Sequence, residues 1–169
     1  MAFYLETPRT FMREILGNDF DFLLRMMGDS EVMRYYPRPY AEKDIRDFIN
    51  RMRARYIEDG CGFWLLVDRE SGEPLGRVGL VRQPVNGIDE FEISYMLHRP
   101  FWRRGLATEA ALAVRAYAFT ERKLPRVVSL IRPENVPSQG VARKLGMEIV
   151  GSTEEMGLPH HVFAVESPA

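Results

Sequence analysis

The sequence predicts one domain of the α+β class, a mixed α/β sheet that is mostly antiparallel and carries helices on its faces. Two observations predict it. Three strand-like runs follow one another across short turns between residues 63 and 98, and the chain then alternates strand, helix, strand, helix and strand to its end. A length of 169 residues suffices for one sizeable core. No repeat, low-complexity tract or long linker divides residues 1–169, so they are read as a single domain.

The elements follow from local pattern. Residues 10–16 (TFMREIL) read as a first strand, and Asn18 or Asp19 caps a short helix over 19–27 that Gly28-Asp29-Ser30 ends. Residues 31–40 are irregular and rich in aromatics and prolines. Over 41–58, Ile45, Phe48, Ile49, Met52 and Tyr56 recur at helical spacing, and the opposite face (Glu42, Lys43, Asp47, Arg51, Arg55) mixes both signs as a solvated face does. Gly60-Cys61-Gly62 breaks that helix. Phe63–Asp68 is the next strand, Ser71-Gly72 turns into a strand over 74–82, and Asn86-Gly87 turns into another over 90–98. In this last strand Phe91, Ile93, Tyr95 and Leu97 alternate with Glu90, Glu92, Ser94 and His98, and Met96 is the one apolar residue in the polar row.

Pro100 stops the strand, and Arg103, Arg104 and Gly105 form a turn. From Leu106 the period lengthens to that of a helix, with Ala110, Ala113, Val114 and Tyr117 on one face. Arg126–Ile131 reads as a buried strand and 138–145 as a short helix with Gly146 just beyond it. Residues 147–150 and 161–165 are the closing strands.

Composition excludes several function classes. A formal charge of −1 gives no global reason to bind nucleic acid, although arginines cluster at 51–55 and 103–104. The lone Cys61 rules out an internal disulfide, and nothing near it activates a thiolate. The first ten residues lack the basic and apolar regions of a signal peptide, and no apolar run approaches the ~20 residues of a membrane span. A cytoplasmic location is therefore the expectation. His98, His160 and His161 have no metal-ligand spacing, so no metal is expected; His160 or His161 fits either a terminal hairpin or the wall of a pocket.

The turn at 103–105 carries chemistry. The first amides of a helix lack internal partners and that end of the dipole is positive, so a phosphate fits there. Gly105 and Ala107 allow close backbone approach, Arg103 and Arg104 add charge, and Thr108 adds a hydroxyl. The plain alternative is a surface loop with two solvated arginines.

The run Trp102-Arg103-Arg104-Gly105-Leu106-Ala107-Thr108-Glu109 resembles the acetyl-CoA pyrophosphate loop of the GNAT N-acetyltransferase superfamily. Trp102 stands where that superfamily often has Gln or Arg, a departure similar to the branch of ribosomal-protein N-terminal acetyltransferases (RimJ/RimL-type). A second block, Asn135, Ser138, Lys144, Leu145 and Gly146, is similar to the family's other segment. The resemblance implies the GNAT fold, with its sheet splayed between the fourth and fifth strands and the pantetheine arm of acetyl-CoA in the gap, paired with backbone near Met96, Leu97 and His98. It places Arg103, Arg104, Gly105, Leu106, Ala107, Thr108, Asn135, Ser138 and Lys144 on the cofactor. The acceptor pocket is implied in the first helices and their loop, at Met33, Arg34, Tyr35, Tyr36 and Tyr40, with Ser94 facing it. Those aromatics equally suit a cover over the core.

Acetyl transfer to an amine needs a neutral amine, a donor to the oxyanion and a proton for the thiolate. At pH 7 a lysine amine is only about 0.04% neutral and an α-amine roughly 14%. Glu92 is the candidate base: a carboxylate in a central strand, where both faces should be apolar, needs a polar partner that a substrate cleft supplies. No tyrosine lies between Leu130 and Gly151 to act as the acid, which leaves Ser138, with Asn135 beside it. Both also suit a helix cap. The expected activity is direct acetyl transfer from acetyl-CoA to a protein N-terminal α-amine, with a small-molecule amine (an antibiotic or amino acid) and a non-catalytic acyl-CoA-binding domain as alternatives. No acidic cluster suits a polycationic acceptor. A homodimer is compatible with the sequence.

Overall fold

The computed structural model describes residues 2–168. An eight-stranded sheet in the order β1-β2-β3-β4-β5-β6-β8-β7 runs through the molecule. Its strands are β1 (Tyr4–Glu6), β2 (Thr10–Glu14), β3 (Phe63–Asp68), β4 (Pro74–Val85), β5 (Ile88–Leu97), β6 (Arg126–Ile131), β7 (Glu148–Glu155) and β8 (Leu158–Glu166). The helices are α1 (Phe20–Met27), α2 (Glu42–Glu58), α3 (Leu106–Thr120) and α4 (Val136–Lys144). The strand β1 adds one to the count expected from sequence, so the splayed pair is β5 and β6.

The antiparallel meander β3-β4-β5 forms as the turn chemistry predicts. Asn86 and Gly87 both take positive φ (50° and 81°), the conformation of a two-residue hairpin whose twist matches its strands. The same device, Met156 and Gly157 at φ 53° and 73°, makes β7 and β8 longer than the sequence expectation. Asp19 does not cap α1. Its carboxylate accepts from both terminal nitrogens of Arg13 (2.8 and 2.9 Å) and from the Leu16 N–H (2.7 Å).

Side-chain alternation gives the sheet two cores. On one face Val78, Leu80, Ile93 and Leu97 pack against Leu106, Ala110 and Val114 of α3 and Ala142 of α4. On the other, Leu65, Val67 and Met96 pack against Leu23, Met26, Ile45, Phe48 and Met52 of α1 and α2. With helices on both faces, a polar residue in β4 or β5 has to find a partner or a cavity. That requirement positions the site.

The parallel pair β5–β6 meets at a single register point, Glu92 opposite Val128. Beyond it the strands separate towards Leu97, and a cleft opens in the middle of the sheet.

Candidate active site

One wall of the cleft is backbone. Arg103 and Gly105 both take left-handed φ (63° and 74°), which folds the loop so that α3 begins at its mouth. The first internal bond of α3 runs from the Glu109 N–H to the Gly105 carbonyl at 3.1 Å, and no side chain caps the helix. The amides of Leu106, Ala107 and Thr108 are thus left for an anion. A Cβ on Gly105 would meet only Arg9, at 3.5 Å, so the position is held by its φ and by the need for close approach.

The loop is fastened from behind. Arg9 donates through Nε to Glu109 (2.7 Å) and through Nη1 to the Arg104 carbonyl (2.8 Å), and Thr7 Oγ1 donates to the same Glu109 carboxylate (2.7 Å). Trp102, the residue that departs from the family pattern, donates its indole N–H to the Leu97 carbonyl at 2.8 Å and ties the loop to the end of β5.

A cavity of about 460 Å³ runs from this loop into the cleft. Of the expected cofactor residues, Met96, Leu97, Arg103, Gly105, Leu106, Ala107, Thr108, Asn135, Ser138 and Lys144 line it. His98 and Arg104 do not. His98 packs edge-on against Phe22 (ring centroids 5.8 Å apart), and the Arg104 guanidinium lies over Phe101 at 5.7 Å.

The backbone register expected for the arm is also corrected. The His98 N–H donates to the Leu75 carbonyl at 2.8 Å, so by the alternation of antiparallel pairs the amides of Met96 and His98 face β4. Those of Tyr95 and Leu97 face the gap.

A second cavity of about 200 Å³ adjoins the first and shares Tyr35, Tyr36, Glu92, Ser94, Leu130 and Asn135 with it. Its remaining wall includes Tyr40, Arg51, Arg55, Phe63, Arg77, Arg132, Glu155 and His160. Met33 lines neither. It is 1% exposed and packs into the core of α1 and α2, because the turn after α1 points it inward. His160 donates its Nδ1–H to the Leu158 carbonyl (2.9 Å), and His161 stays outside both cavities.

Glu92 stands where the two cavities meet. Burial pushes its carboxyl up to about 8, with Glu155 adding to the effect while the Leu130 N–H, Arg77 and Arg55 oppose it. Gln83 holds its Oε2 by a short hydrogen bond, and the Leu130 N–H approaches Oε1 at 3.5 Å. A carboxyl in this range exchanges a proton near neutral pH.

Asn135 caps α4, its Oδ1 accepting from the Ser138 N–H at 3.2 Å. The Ser138 side chain lines the first cavity. Sequence reasoning missed Tyr95. Its hydroxyl donates to the Ser138 carbonyl at 2.7 Å, which sets a phenol beside the first turn of α4 from the strand rather than from the helix. Burial raises its pKa well above the ordinary value, so it keeps its proton. A hydroxyl in an otherwise hydrocarbon row (Phe91, Ile93, Leu97) was the available signal, since a buried phenol needs a partner. Cys61 is buried, its thiol pushed up by desolvation, and it lines neither cavity. Among the described residues no group of three or more His, Cys, Asp or Glu could hold a metal ion.

Residues 9–148 match the family described as the acetyltransferase (GNAT) domain. An uncharacterized protein, YkkB, of Bacillus subtilis is 32% identical over 84% of this chain and 83% of its own. A spermidine N(1)-acetyltransferase of Escherichia coli is 28% identical over 83% of this chain and 73% of its own. Among solved structures, a GNAT-family acetyltransferase from Bacillus anthracis superposes with a TM-score of 0.83 at 25% identity, covering 97% of this chain and 98% of that one. A RimL ribosomal α-N-protein acetyltransferase in complex with coenzyme A superposes with a TM-score of 0.79 over 98% of both chains, at 14% identity, which is a likeness of fold.

Proposed function

The chain belongs to the GNAT acetyltransferase family and is an acyltransferase, and from that premise we propose that it moves an acetyl group from acetyl-CoA directly onto a primary amine. Glu92 serves as the proton acceptor. The observation that carries this reading is the position of Glu92, desolvated, near pKa 8, among the residues that both cavities share.

The residues of the loop fit the cofactor's anionic end: three uncapped helix amides, a glycine in left-handed conformation, and the Arg103 and Lys144 side chains at the same cavity. Bound there, acetyl-CoA supplies the thioester that is to be aminolysed. The protein's own part is to orient and to move protons. Tyr95, and Leu97 through its N–H, offer ladder groups along the gap, as a strand edge does, while the Leu97 carbonyl is taken by Trp102. Glu92 takes the amine proton. Two hydroxyls, of Tyr95 and Ser138, lie at the α4 side, and the phenol, which burial keeps protonated, is the hydrogen-bond donor that steadies a departing thiolate until water protonates it. Cys61, buried away from the cleft, supports transfer without an acyl-enzyme.

An α-amine suits this site better than a lysine amine, because it is already partly neutral at pH 7 and asks less of one carboxylate. No helix among the described residues is long and apolar enough to cross a membrane.

The test is a calorimetric titration with acetyl-CoA, followed by CoA release in the presence of primary amines. Saturable binding with amine-dependent CoA release is expected. A folded protein that binds no acetyl-CoA would remove the reading. Binding without release for any amine, together with an inert Glu92→Gln change, would instead favour a non-catalytic acyl-CoA-binding domain.

A further inference from the structure

The second cavity contains a buried cation with two N–H-bearing nitrogens left without an acceptor. Arg77, on β4, is 3% exposed. Its guanidinium stacks on the Phe63 ring at 3.9 Å and lies 5.6 Å from the Phe48 centroid. One nitrogen donates to the Tyr36 hydroxyl at 3.3 Å, while Nε and Nη1 are buried without any acceptor. Stacking occupies the flat face of the group and leaves its in-plane N–H donors unused. An unpaired buried donor is costly, more so when charged.

The position of this cation matters. Arg77 shares a sheet face with Met96, Ser94 and Glu92, its register partners being Met96 for Arg77, Ser94 for Gly79 and Glu92 for Val81. Phe63, on which the guanidinium rests, pairs with Gly79. The head group therefore leans one register step from its own Cα towards Glu92, to the level of Ser94. It also acts on the Glu92 carboxyl as a neighbouring charge.

The other charges do not neutralise it. Arg55 pairs with Asp59 (3.3 Å) and Arg132 with Glu134 (3.1 Å), while Arg132 Nε is a second buried donor with no acceptor. Arg51 completes four arginines around the cavity. Against them stand only Glu92 and Glu155. With Arg55 and Arg132 paired and Arg51 exposed, Arg77 is the buried cation of this wall that lacks an anion.

We propose that the acceptor is a small amine carrying a carboxylate, of the amino-acid class, whose carboxylate is held by Arg77 while its amine faces Glu92. This rests on the acetyl-transfer reading above. A planar guanidinium takes a carboxylate through parallel N–H bonds. A cavity of about 200 Å³ suits a molecule of that size. Tyr36 orients the guanidinium from the loop after α1.

The experiment pairs acceptors with and without a carboxylate and compares rates per neutral amine, because a nearby carboxylate also raises the pKa of the amine. Amino acids are compared with their carboxamides, 4-aminobutyrate with butylamine, and the set is completed by spermidine and a short peptide with a neutral second residue. CoA release and the mass of the product are read. At least one carboxylate-bearing amine is expected to exceed its neutral partner in kcat/KM by about 10- to 100-fold, the worth of a charge-assisted pair. Arg77→Met should raise KM for that acceptor by a similar factor and leave kcat within about threefold, with Arg77→Lys in between.

Acetyl-CoA is titrated into the same samples. Failure to bind it removes the parent reading, whereas binding together with equal or better transfer to amides, spermidine or the peptide removes only the carboxylate proposal. So does transfer to no carboxylate-bearing amine at all. Glutarate, added without acetyl-CoA, reads the anion site alone. It should raise the Tm of the wild type and not of Arg77→Met, and an unmoved wild-type Tm would count against the site. If Arg77→Met does not fold, the wild-type panel and the glutarate titration still decide.

Discussion

The two halves of the cleft are made of different material. The half proposed for the cofactor is chiefly backbone: a loop with two left-handed residues, the open amides of α3 and the splayed edge of β5. The half proposed for the acceptor includes side chains from α2, β3, β4, β5 and the loop after α1, with the buried Arg77 and the half-buried Glu92 among its charges. A backbone site is fixed by a few consecutive residues and tolerates little change. A side-chain site is fixed by register between distant strands, and its specificity can be altered one residue at a time without touching the cofactor. The predictions below separate the halves by asking which measurement each change moves.

Gly105→Asp should have the largest effect. An L residue at φ 74° is strained by about 1–2 kcal/mol, and the new carboxylate would oppose the anion the loop receives. Acetyl-CoA affinity is expected to fall by at least about 100-fold, the sum of that strain and the lost charge complementarity. Glutarate binding should be unchanged. Calorimetry with both ligands reads this directly. A folded variant with wild-type acetyl-CoA affinity would show that the loop does not hold the cofactor.

Glu92→Gln comes next and strikes the junction. Loss of a general base costs about 100-fold or more in kcat for an alkylamine, and less for an amine of low pKa that is already neutral. The sign with pH is fixed by the raised value. With a pKa of about 8, Glu92 is only about one-tenth ionised at pH 7, so activity should climb with pH and level off above about 8. The variant should lose that limb. Stability moves the opposite way. The folded state holds a proton that the unfolded chain releases, so this contribution is complete below the ordinary glutamate pKa and is lost as pH rises through about 8. The Tm of Glu92→Gln should therefore gain on the wild type between pH 5 and pH 8. Parallel Tm curves would argue that Glu92 is not desolvated as described.

This division also explains what could be read from sequence. Arg103–Gly105 and the helix after them are legible because turn, charge and helix start are contiguous, and Asn86-Gly87 is legible because its φ values follow from residue type. Glu92 was found by a contradiction, a carboxylate where burial was expected. Arg77 presents the same contradiction in β4 but stands in a strand whose neighbours gave no hint of what it faces. Its meaning appears only when Phe63, Tyr36 and Glu92 are brought to it by the fold. The strand β1 is three residues long and has no periodicity to read. The open edge of β5 could be assigned to Tyr95 and Leu97 only once pairing with β4 was known, since alternation gives two rows but not which row faces which neighbour.

Tyr95→Phe should be milder. It removes one hydroxyl that donates to the Ser138 carbonyl and leaves the ring packed against the α3–α4 core. A loss of about tenfold in kcat is expected, at the low end for a hydrogen-bond donor to a charged group because Ser138 and water remain. Acetyl-CoA affinity should be unaffected, and stability should fall by about 1 kcal/mol for one hydrogen bond. An unchanged kcat with lowered stability would make the phenol a strut for α4 and nothing more.

The smallest effect is expected at Met33, which the sequence placed among the substrate contacts and the structure places in the core between α1 and α2. Met33→Leu conserves volume and should cost less than about 1.5 kcal/mol. Because the side chain lines neither cavity, KM for the acceptor and affinity for acetyl-CoA should both stay within error. The neighbouring Tyr36→Phe provides the contrast. It removes the hydroxyl that receives the Arg77 hydrogen bond, so it should raise KM for a carboxylate-bearing amine by a few-fold and leave its neutral partner alone. If Met33→Leu moved the acceptor KM as much as Tyr36→Phe does, the acceptor would reach deeper under the loop than Arg77, and the boundary drawn here between pocket and core would have to shift inward by one residue layer.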